Sequence, residues 1–419
     1  MAIIGAGPAG LSLALEAAEM LPHAAITVFD ARPADKDISQ DARTLALSQG
    51  TVQALTRMGI WEAIEASGRS APIREVHVSQ QQPTVLWPGP SQPEVRITAA
   101  EQRVPQLGAV VSYGALVAPL QSAWDRQTAS SPRCAMRFGT PVRGIKPLAA
   151  GVEVDADIAE SFDLVVVAEG GVFADQPKLQ WPQGFSRDYE QTAWVGQVLL
   201  DDSGPSGVAY ERFTPSGPAA LLPLPHGAIK AGGPSGRRAA LVWCVQQNDD
   251  PVRELDEAQR LTVLNTVFHP SVGRILDITP LKAFPLGLNA HRQLVSEGAV
   301  VRIGNAAQTL HPVAGQGFNL GMRDVHELLS ALKDAALAAH DGDDDADARQ
   351  LKLQRALRRF ERRRQPDRIA LLATTDFLAR SFTWPAPILA TMRGLGLGAV
   401  QALGPVKRLV ARSMMFGWR

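Results

Sequence analysis

The sequence predicts an α/β fold of the Rossmann type, with an antiparallel sheet inserted into it and a helical region at its C-terminal end. A glycine-rich turn, GAGPAG at 5–10, follows a short apolar run and opens a segment of small residues. Between 191 and 247 the pattern changes to strand-like segments separated by glycine and proline turns. A buried strand at 300–303 and a helix after Gly315 then indicate that the α/β domain resumes late in the chain.

The first turn has the context of a dinucleotide fingerprint, because strand, glycines and helix follow in the required order. Gly5 permits the tight turn, Gly7 lets the backbone approach a pyrophosphate, and Gly10 lets the helix pack closely on the strand. Asp30 ends the next strand, about 20 residues beyond the last glycine, where a carboxylate accepts bonds from ribose hydroxyls. The spacing does not choose FAD over NAD, and a purely structural glycine turn is the alternative. Met1 lies almost inside the first strand, so we expect a few native residues before it.

The remaining elements are predicted from apolar periodicity and from capping and turn residues. Ser48 can cap a helix that ends near Gly59. Alternating, proline-broken segments at 73–104 suit strands and hairpin loops, and a second helix is expected from Ser112 or Tyr113 to residue 128. The continuous apolar run 164–168 indicates a buried parallel strand, at whose end ligands bind in open α/β sheets. The expected strands of the inserted sheet are 193–200, 208–213, 219–222 and 239–245.

Composition excludes several classes of protein. The 419 residues suffice for two or three structural units. Lys and Arg together number 42, as do Asp and Glu together, so the formal net charge is zero. No overall positive electrostatic field therefore attracts nucleic acid. Cys134 and Cys244 form neither a CxxC pair nor a ligand cluster, which predicts a reducing compartment and no metal site. Without a signal peptide or a bilayer-spanning apolar stretch, we expect a cytoplasmic protein, at most peripheral on the inner face of the cytoplasmic membrane.

A second glycine-rich loop lies within the segment 301–324. Its order is strand, small-residue turn, proline, glycine pair and helix start. Backbone amides there can hold an anionic oxygen or a ring, helped by the helix dipole; they belong to Gly315, Gln316, Gly317 and Asn319. Together the two loops suggest one long dinucleotide, bound at its adenylate end by the first loop and at its ring end by the second.

Longer strings carry a family resemblance. The chain resembles flavoprotein aromatic hydroxylases of the para-hydroxybenzoate hydroxylase type and, more closely, the ring hydroxylases of ubiquinone biosynthesis, particularly the 2-octaprenyl-6-methoxyphenol hydroxylase branch. The resemblance covers essentially the whole chain, and its most specific string is GNAAQTLHPVAGQGFNLGMRD at 304–324. The other strings are GAGPAG, DARTLALSQGTVQALTRMGIW at 41–61, LGAVVSYGAL at 107–116, DLVVVAEGG at 163–171 and AYERFTPSGPAALLPL at 209–224.

The resemblance implies FAD as cofactor and assigns residues to it. The implied FAD-binding residues are Gly5, Gly7, Gly10, Asp30, Arg32, Arg43, Gly170, Gly304, Asn305, Gly315, Gln316, Gly317 and Asn319. For Arg43 the alternative is a surface ion pair. Asn305 and Glu169 stand where relatives have aspartate, and Gln308 replaces a histidine of the wider family, so no proton-shuttling role is assumed there.

Two further residues are implied at the reaction centre. Pro312 matches a proline beside the reactive face of the isoalloxazine, and His311 precedes it. One interpretation is that the backbone of His311 and Pro312 orients flavin or substrate; the other is that His311 is an ordinary buried, hydrogen-bonded histidine. Aromatic residues can line a ring pocket but are more often core in sheet segments; the candidates are Tyr113, Tyr189, Tyr210 and Trp194.

The chemistry implied by the resemblance is cofactor-borne. NADH or NADPH, visiting transiently, would reduce FAD; dioxygen would add at carbon 4a, and the hydroperoxide would hydroxylate a polyprenylated phenol. Two other hypotheses stay open. A NAD-dependent dehydrogenase shares the first loop but leaves the second unexplained. A non-catalytic FAD-binding subunit of a quinone-biosynthesis complex fits the departures at Glu169, Asn305 and Gln308.

These inferences divide the chain into a Rossmann-like FAD-binding domain, an inserted antiparallel substrate domain and a helical C-terminal region. The FAD-binding parts are 1–72, 106–178 and 286–375, the substrate-domain parts are 73–105 and 179–285, and the C-terminal amphipathic region is 376–419. That last region has no acidic residue from Phe377 onward and mixes cations with apolar residues, which suits a membrane surface, the protein body or another subunit. Upstream, Leu353, Leu357 and Phe360 form one helical face amid arginines 358–364, which predicts a solvated cap on the nucleotide domain.

Overall fold

The computed structural model describes residues 1–84, 92–170, 176–296, 298–311, 315–337, 346–381 and 387–417. The strands are β1 (Ala2–Ile4), β2 (Ile26–Phe29), β3 (Thr44–Ser48), β4 (Ser70–Ile73), β5 (Glu75–Gln80), β6 (Glu94–Thr98), β7 (Gly108–Ser112), β8 (Cys134–Arg137), β9 (Gly144–Pro147), β10 (Val152–Asp155), β11 (Ala159–Phe162), β12 (Val165–Val167), β13 (Gly184–Leu200), β14 (Val208–Thr214), β15 (Gly217–Gly227), β16 (Gly236–Gln246), β17 (Ile275–Ile278), β18 (Lys282–His291), β19 (Val295–Ser296), β20 (Val300–Arg302) and β21 (Gln308–Thr309). The helices are α1 (Pro8–Met20), α2 (Gln49–Arg57), α3 (Trp61–Ala66), α4 (Ala99–Gln102), α5 (Tyr113–Ser130), α6 (Glu257–Val267), α7 (Gly317–Leu337), α8 (Ala346–Ser381), α9 (Pro387–Ala402) and α10 (Gly404–Phe416).

A six-stranded sheet forms the first unit, in the order β19-β20-β12-β1-β2-β8. Its strands pair in parallel except for the antiparallel edge strand β19. Ala2, Ile3 and Ile4 are all buried, as expected of a short strand covered on both faces. The predicted Rossmann-like α/β unit is confirmed, and the late strand at 300–302 is part of it.

A nine-stranded sheet forms the second unit, along the path β21-β18-β13-β16-β15-β14-β5-β6, with β17 added beside β13. Its pairs are antiparallel except for β14 and β5. The four strands predicted at 193–245 are present, each longer than predicted. Trp194 and Tyr210 pack together with Phe268 on the outer face, in a core that includes Leu264 of α6. These two aromatics are therefore core residues of that face.

Capping residues begin two helices where the sequence predicts them. The Ser48 side chain accepts a hydrogen bond from the Thr51 amide at the start of α2. Ser112 does the same for the Ala115 amide at the start of α5. Gly59 follows α2 with a φ of +68°, a left-handed conformation that favours glycine and ends the helix.

The C-terminal helices pack on the body of the protein. Leu357 and Phe360 of α8 are fully buried in the main core, which confirms the predicted apolar face. The expectation that the arginines around it are solvated is wrong for Arg364, which is 3% exposed. In α9 and α10, Leu397 and Met415 pack inward. Among the described residues, no helix combines the length and apolarity that a membrane crossing requires.

Candidate functional site

The first glycine loop is tightly packed at Gly5 and Gly10 and open at Gly7. Gly5 has a φ of +104°, and a Cβ on Gly10 would lie 2.0 Å from the Gly5 carbonyl oxygen, so both positions require glycine. A Cβ on Gly7 would meet only the Tyr113 hydroxyl, at 3.6 Å. Since Gly7 is also the N-cap of α1, the first amides of that helix and its positive dipole end face the open side. A pyrophosphate fits there.

Asp30 is tied to the same loop. One of its carboxylate oxygens accepts from the Ala6 amide at 2.6 Å and the other from the Arg32 amide at 2.8 Å. A carboxylate offers about four acceptor positions, so capacity remains for ribose hydroxyls. At the end of β12, partial desolvation and then the charge of Asp30 raise the pKa of Glu169. Gly170 follows it, exposed.

The two predicted arginines occupy different surroundings. The Arg32 guanidinium donates to the Gln121 side chain at 3.1 Å and lies 3.9 Å from the Asp30 carboxylate, to which the Arg32 backbone amide donates. Arg43 lies 4.3 Å from the ring centre of Tyr113, the residue that faces Gly7. Its side chain is 65% exposed and bonded to Asp41 at 2.7 Å. Arg43 is thus next to the loop, while it also makes the ion pair that the alternative interpretation expects.

The second glycine loop meets the first helix. Gly304 and Gly315 both have left-handed φ values, +56° and +58°. A Cβ on Gly304 would lie 3.8 Å from the Cβ of Ala9 in the first turn of α1. A Cβ on Gly317, which begins α7, would lie 3.6 Å from the side-chain oxygen of Asn305. The two loops, at opposite ends of the sequence, therefore converge on one place.

The Asn319 side chain has a structural role. Its oxygen accepts from the Ser48 amide and the Thr51 hydroxyl, both at 2.8 Å. Its amide group donates to the carbonyl oxygens of Ala46 at 2.9 Å and Gly315 at 3.1 Å. These bonds join α7 to the start of α2 and fix the turn before Gly317. Only the backbone amide of Asn319 is left to serve a cofactor.

A buried ion network lies behind the second loop, and sequence reasoning missed it. Asp324, with no exposed surface, accepts from the Gly304 amide at 3.0 Å and from Arg364 at 2.7 Å. Arg364 also bonds Asp367 at 2.7 Å. Although burial opposes it, the charges of Asp324 and Asp367 raise the pKa of Arg364. Helical spacing was the available signal, since Arg364 follows Phe360 by four residues and shares its buried face.

Gln308 connects that network to α8. Its amide group donates to the Gly304 carbonyl at 2.9 Å, and its oxygen accepts from Arg368 at 2.6 Å. Arg368 is 2% exposed and reaches the His291 carbonyl as well. Gln308 therefore holds the turn at Gly304 in place.

His311 is buried, with 1% of its surface exposed. Its Nε2 lies 3.0 Å from the Gln191 side-chain oxygen, which can only accept, so Nε2 carries the proton. Burial lowers the pKa of His311 to about 3, so the ring is neutral at pH 7. The side chain matches the buried, hydrogen-bonded interpretation. Pro312 lies outside the described residues.

Two cavities differ in how they relate to the predicted cofactor residues. One of about 80 Å³ lies between the second loop, β5 and α10, lined among others by Gln316, Val76 and Met415. A larger cavity of about 580 Å³ lies between α3 and α5 and has Arg69 and Arg126 in its lining. None of the predicted cofactor residues lines the larger cavity.

One cluster in the described part of the chain has the side-chain types of a metal site. His77, Glu94 and His269 bring their ligand atoms within 4.8 Å of one another. The Ser271 amide, however, donates to Nδ1 of His269 at 3.1 Å. The neutral ring then carries its proton on Nε2, the atom that faces Glu94. Hydrogen bonds account for this cluster, and we assign no metal to it.

The fold and the paired loops define a dinucleotide-binding protein, and comparison with known proteins identifies the dinucleotide as FAD. The FAD binding domain family model matches residues 1–155 and 185–353, so the chain belongs to that family. It is 29% identical to 3-demethoxyubiquinol 3-hydroxylase of Escherichia coli (strain K12), over 97% of this chain and 96% of that protein. It is also 29% identical to ubiquinone hydroxylase UbiL of Rhodospirillum rubrum, over 99% of this chain and 88% of that protein.

Solved structures agree on the fold. Klebsiella pneumoniae HpxO, complexed with FAD and uric acid, superposes with a TM-score of 0.67 at 18% identity, over 98% of this chain and 96% of that one. The chain is an FAD-dependent oxidoreductase of the monooxygenase class. The dehydrogenase and the non-catalytic subunit are not favoured by these findings.

Proposed function

We propose that this protein hydroxylates the aromatic ring of a polyprenylated phenol in ubiquinone biosynthesis, using NADH or NADPH and dioxygen. The observation that carries the proposal is the convergence of both glycine loops on one place, in a chain that aligns with two named ubiquinone ring hydroxylases over nearly its full length. At the finer level we propose the 2-octaprenyl-6-methoxyphenol hydroxylase branch, on the strength of the string at 304–324.

The residues present fit FAD. Gly7 and the first amides of α1 would hold the pyrophosphate, and Asp30 would accept from the ribose. The start of α7 would hold the ring end through the amides at 315–319. Asn305 and Arg43 lie beside these two loops and would contact the cofactor from its edges. The proposed FAD-binding segments 1–72, 106–178 and 286–375 supply all these groups.

When bound, FAD supplies the redox chemistry that carries electrons from NAD(P)H to dioxygen and one oxygen atom to the ring. The chain's own residues orient the partners and exclude water. Asn319 and Asp324 fix the loop through buried hydrogen bonds, and the neutral His311 adds no charge beside it. Apolar residues of β13 and β18, such as Ala193 and Leu286, cover the adjoining wall.

We also propose peripheral contact with the inner face of the cytoplasmic membrane through α9 and α10. These helices contain no acidic residue, and Arg408 and Arg412 on them are exposed. Their exposed large apolar side chains are Met392, Leu395, Leu403, Val406 and Leu409. Apolar side chains beside exposed cations suit an anionic lipid surface, from which a polyprenylated substrate is drawn.

Co-sedimentation with vesicles tests this contact. Binding to anionic but not neutral vesicles, weakened by salt and by Leu403→Ser with Leu409→Ser, is the expected result. Absence of binding to either vesicle would contradict membrane contact and would leave these helices to meet a subunit of a quinone-biosynthesis complex.

Turnover tests the function directly. The purified protein should be yellow, and a prenylated phenol should stimulate NADH or NADPH oxidation and gain one oxygen atom by mass spectrometry. Deleting the gene should make the unhydroxylated precursor accumulate. A protein that reduces FAD yet hydroxylates no prenylated phenol would refute the substrate assignment, and one whose flavin never accepts electrons would support the non-catalytic subunit.

A further inference from the structure

One face of the nine-stranded sheet looks toward the second glycine loop. On β13, the Gln191 side chain bonds His311, just before the loop, at 3.0 Å. On β5, Val76 lines the same small cavity as Gln316 in the loop. His311 and Gln316 therefore both meet this face of the sheet, which we call the loop-facing side.

Strand register places Glu211 on the loop-facing side. In β14 it pairs with Val78 of β5 and with Ala220 of β15. The same row continues through Val242 to Val195 of β13, four residues after Gln191. Paired residues of a pleated sheet point to the same face, and every second residue along a strand does so too. Glu211 thus points to the side where Val76 and Gln191 meet the loop.

Glu211 is an isolated acid in that position. Its neighbours in the row, Val78, Ala220, Val242 and Val195, are all apolar. The side chain is half-buried, and among the described residues its carboxyl has no hydrogen bond or ion pair. Burial raises its pKa to about 8, so the acid is mostly protonated at pH 7.

Three other ionisable groups near this side are neutral or already paired. Burial, and then the charge of Glu211, raise the pKa of the Cys244 thiol, which stays protonated. On α8, Asp376 pairs with Arg187 at 2.8 Å. On α10, Lys407 pairs with Glu101 at 2.9 Å. An unpaired acid in such a wall is a costly feature for the fold, and groups of this kind concentrate at functional sites.

We propose that Glu211 hydrogen-bonds the ring hydroxyl of the phenolic substrate and thereby decides which ring carbon faces the cofactor. This inference rests on the proposed function. A neutral carboxyl group both donates and accepts, as a phenol hydroxyl does, so the two groups are complementary. A polar anchor whose neighbours in the row are apolar suits a ligand with a hydroxylated ring and a hydrocarbon tail.

Two substitutions separate hydrogen bonding from packing. Glu211→Gln keeps size and hydrogen-bonding capacity, whereas Glu211→Leu keeps only the bulk. Glu75→Gln is the matched control, because Glu75 lies on the same sheet but, next to Val76, on its opposite face. Binding to the FAD-loaded proteins is measured for a 2-methoxyphenol carrying a short prenyl chain and for its methyl ether, which lacks the hydroxyl.

Wild type and Glu75→Gln should prefer the phenol over the ether by about tenfold, the worth of one buried hydrogen bond. Glu211→Gln should keep most of that preference, and Glu211→Leu should lose it and release more hydrogen peroxide per NAD(P)H. The infrared carbonyl band of a protonated acid at pH 7 should disappear in both Glu211 variants and persist in Glu75→Gln.

The outcomes distinguish this inference from the proposed function. If the wild type hydroxylates the phenol and Glu211→Leu retains its preference and coupling, Glu211 is not the anchor, while the function stands. If the wild type binds neither compound and hydroxylates nothing, the proposed function fails, and the inference fails with it.

Discussion

Ala9 in α1 and Gly321 in α7 face each other so closely that a Cβ on Gly321 would lie 3.7 Å from the Cβ of Ala9. The same Cβ would lie 3.2 Å from the Cα of Gly304. Small residues at these three positions let the helices that follow the two glycine loops approach each other. The convergence on which FAD binding depends is therefore a matter of backbone packing as well as of ligand-binding groups.

Gly10→Ala should disrupt the first loop. The new methyl would lie 2.0 Å from the Gly5 carbonyl oxygen, so the helix must move away from the strand. Overpacking of this kind costs about 1–3 kcal/mol. Thermal unfolding and FAD content by absorbance should both fall. Gly396→Ala in α9, where a Cβ meets nothing within 4 Å, should leave the FAD content unchanged and should not lower thermal stability, since alanine favours a helix interior.

Gly317→Asp should expel the cofactor without unfolding the protein. An acidic residue in the first turn of α7 is favourable for the helix, but its charge would occupy the place proposed for the flavin ring. Gly317→Ala is the control, because its Cβ would make an ordinary contact with Asn305 at 3.6 Å. We expect a colourless, folded Asp variant and a yellow Ala variant; normal FAD occupancy in the Asp variant would show that our placement of the turn is wrong.

Asp324→Asn should destabilise the fold strongly. The substitution leaves Arg364 buried with one carboxylate partner fewer, and breaking a buried pair costs about 3–5 kcal/mol. Urea unfolding measures the loss. Asp334→Asn removes an exposed partner of Arg359 instead and should change stability by less than about 1 kcal/mol. Equal effects of the two substitutions would contradict the network.

Stability should fall in acid partly because of His311. Its pKa is lowered to about 3 in the folded protein and is about 6.5 when unfolded, so between these values the unfolded chain binds the extra proton. Stability is therefore lost as pH falls from about 6.5 toward 3, by up to about 1.4 kcal/mol per pH unit. His291, lowered to about 4, adds to the same slope.

His311→Asn isolates the first contribution. Its unfolding free energy, measured from pH 7 to pH 5, should depend less on pH than that of the wild type. An unchanged slope would contradict the buried neutral ring. A hundredfold loss of turnover at normal stability would instead support a direct role of this residue in catalysis.

The sequence predicted what local pattern and motif spacing control. Several strands of both large sheets, the caps Ser48 and Ser112, and the glycines of the first loop follow from periodicity and turn chemistry, whereas strands such as β8 and β18 were not predicted. The side-chain role of Asn319 was not predictable, because its partners near Ser48 lie far away in the sequence. The burial of Arg364 was not predicted either, because its partner Asp324 lies 40 residues away in the sequence.

The face of the sheet on which Glu211 lies was also not predictable from the sequence. It stands in one of the strings that carry the resemblance, and strand alternation places it opposite Tyr210. Alternation cannot say which of the two faces meets the second loop. That required the pairing of β14 with β5 and the bond between Gln191 and His311.

A crystal structure of the protein reconstituted with FAD tests the central claim most directly. The account predicts one FAD per chain, with its pyrophosphate at Gly7 and the first turn of α1 and its ring against the turn at Gly315–Gly317. A ring that lies away from this turn, or a protein that cannot be reconstituted with FAD, would contradict it.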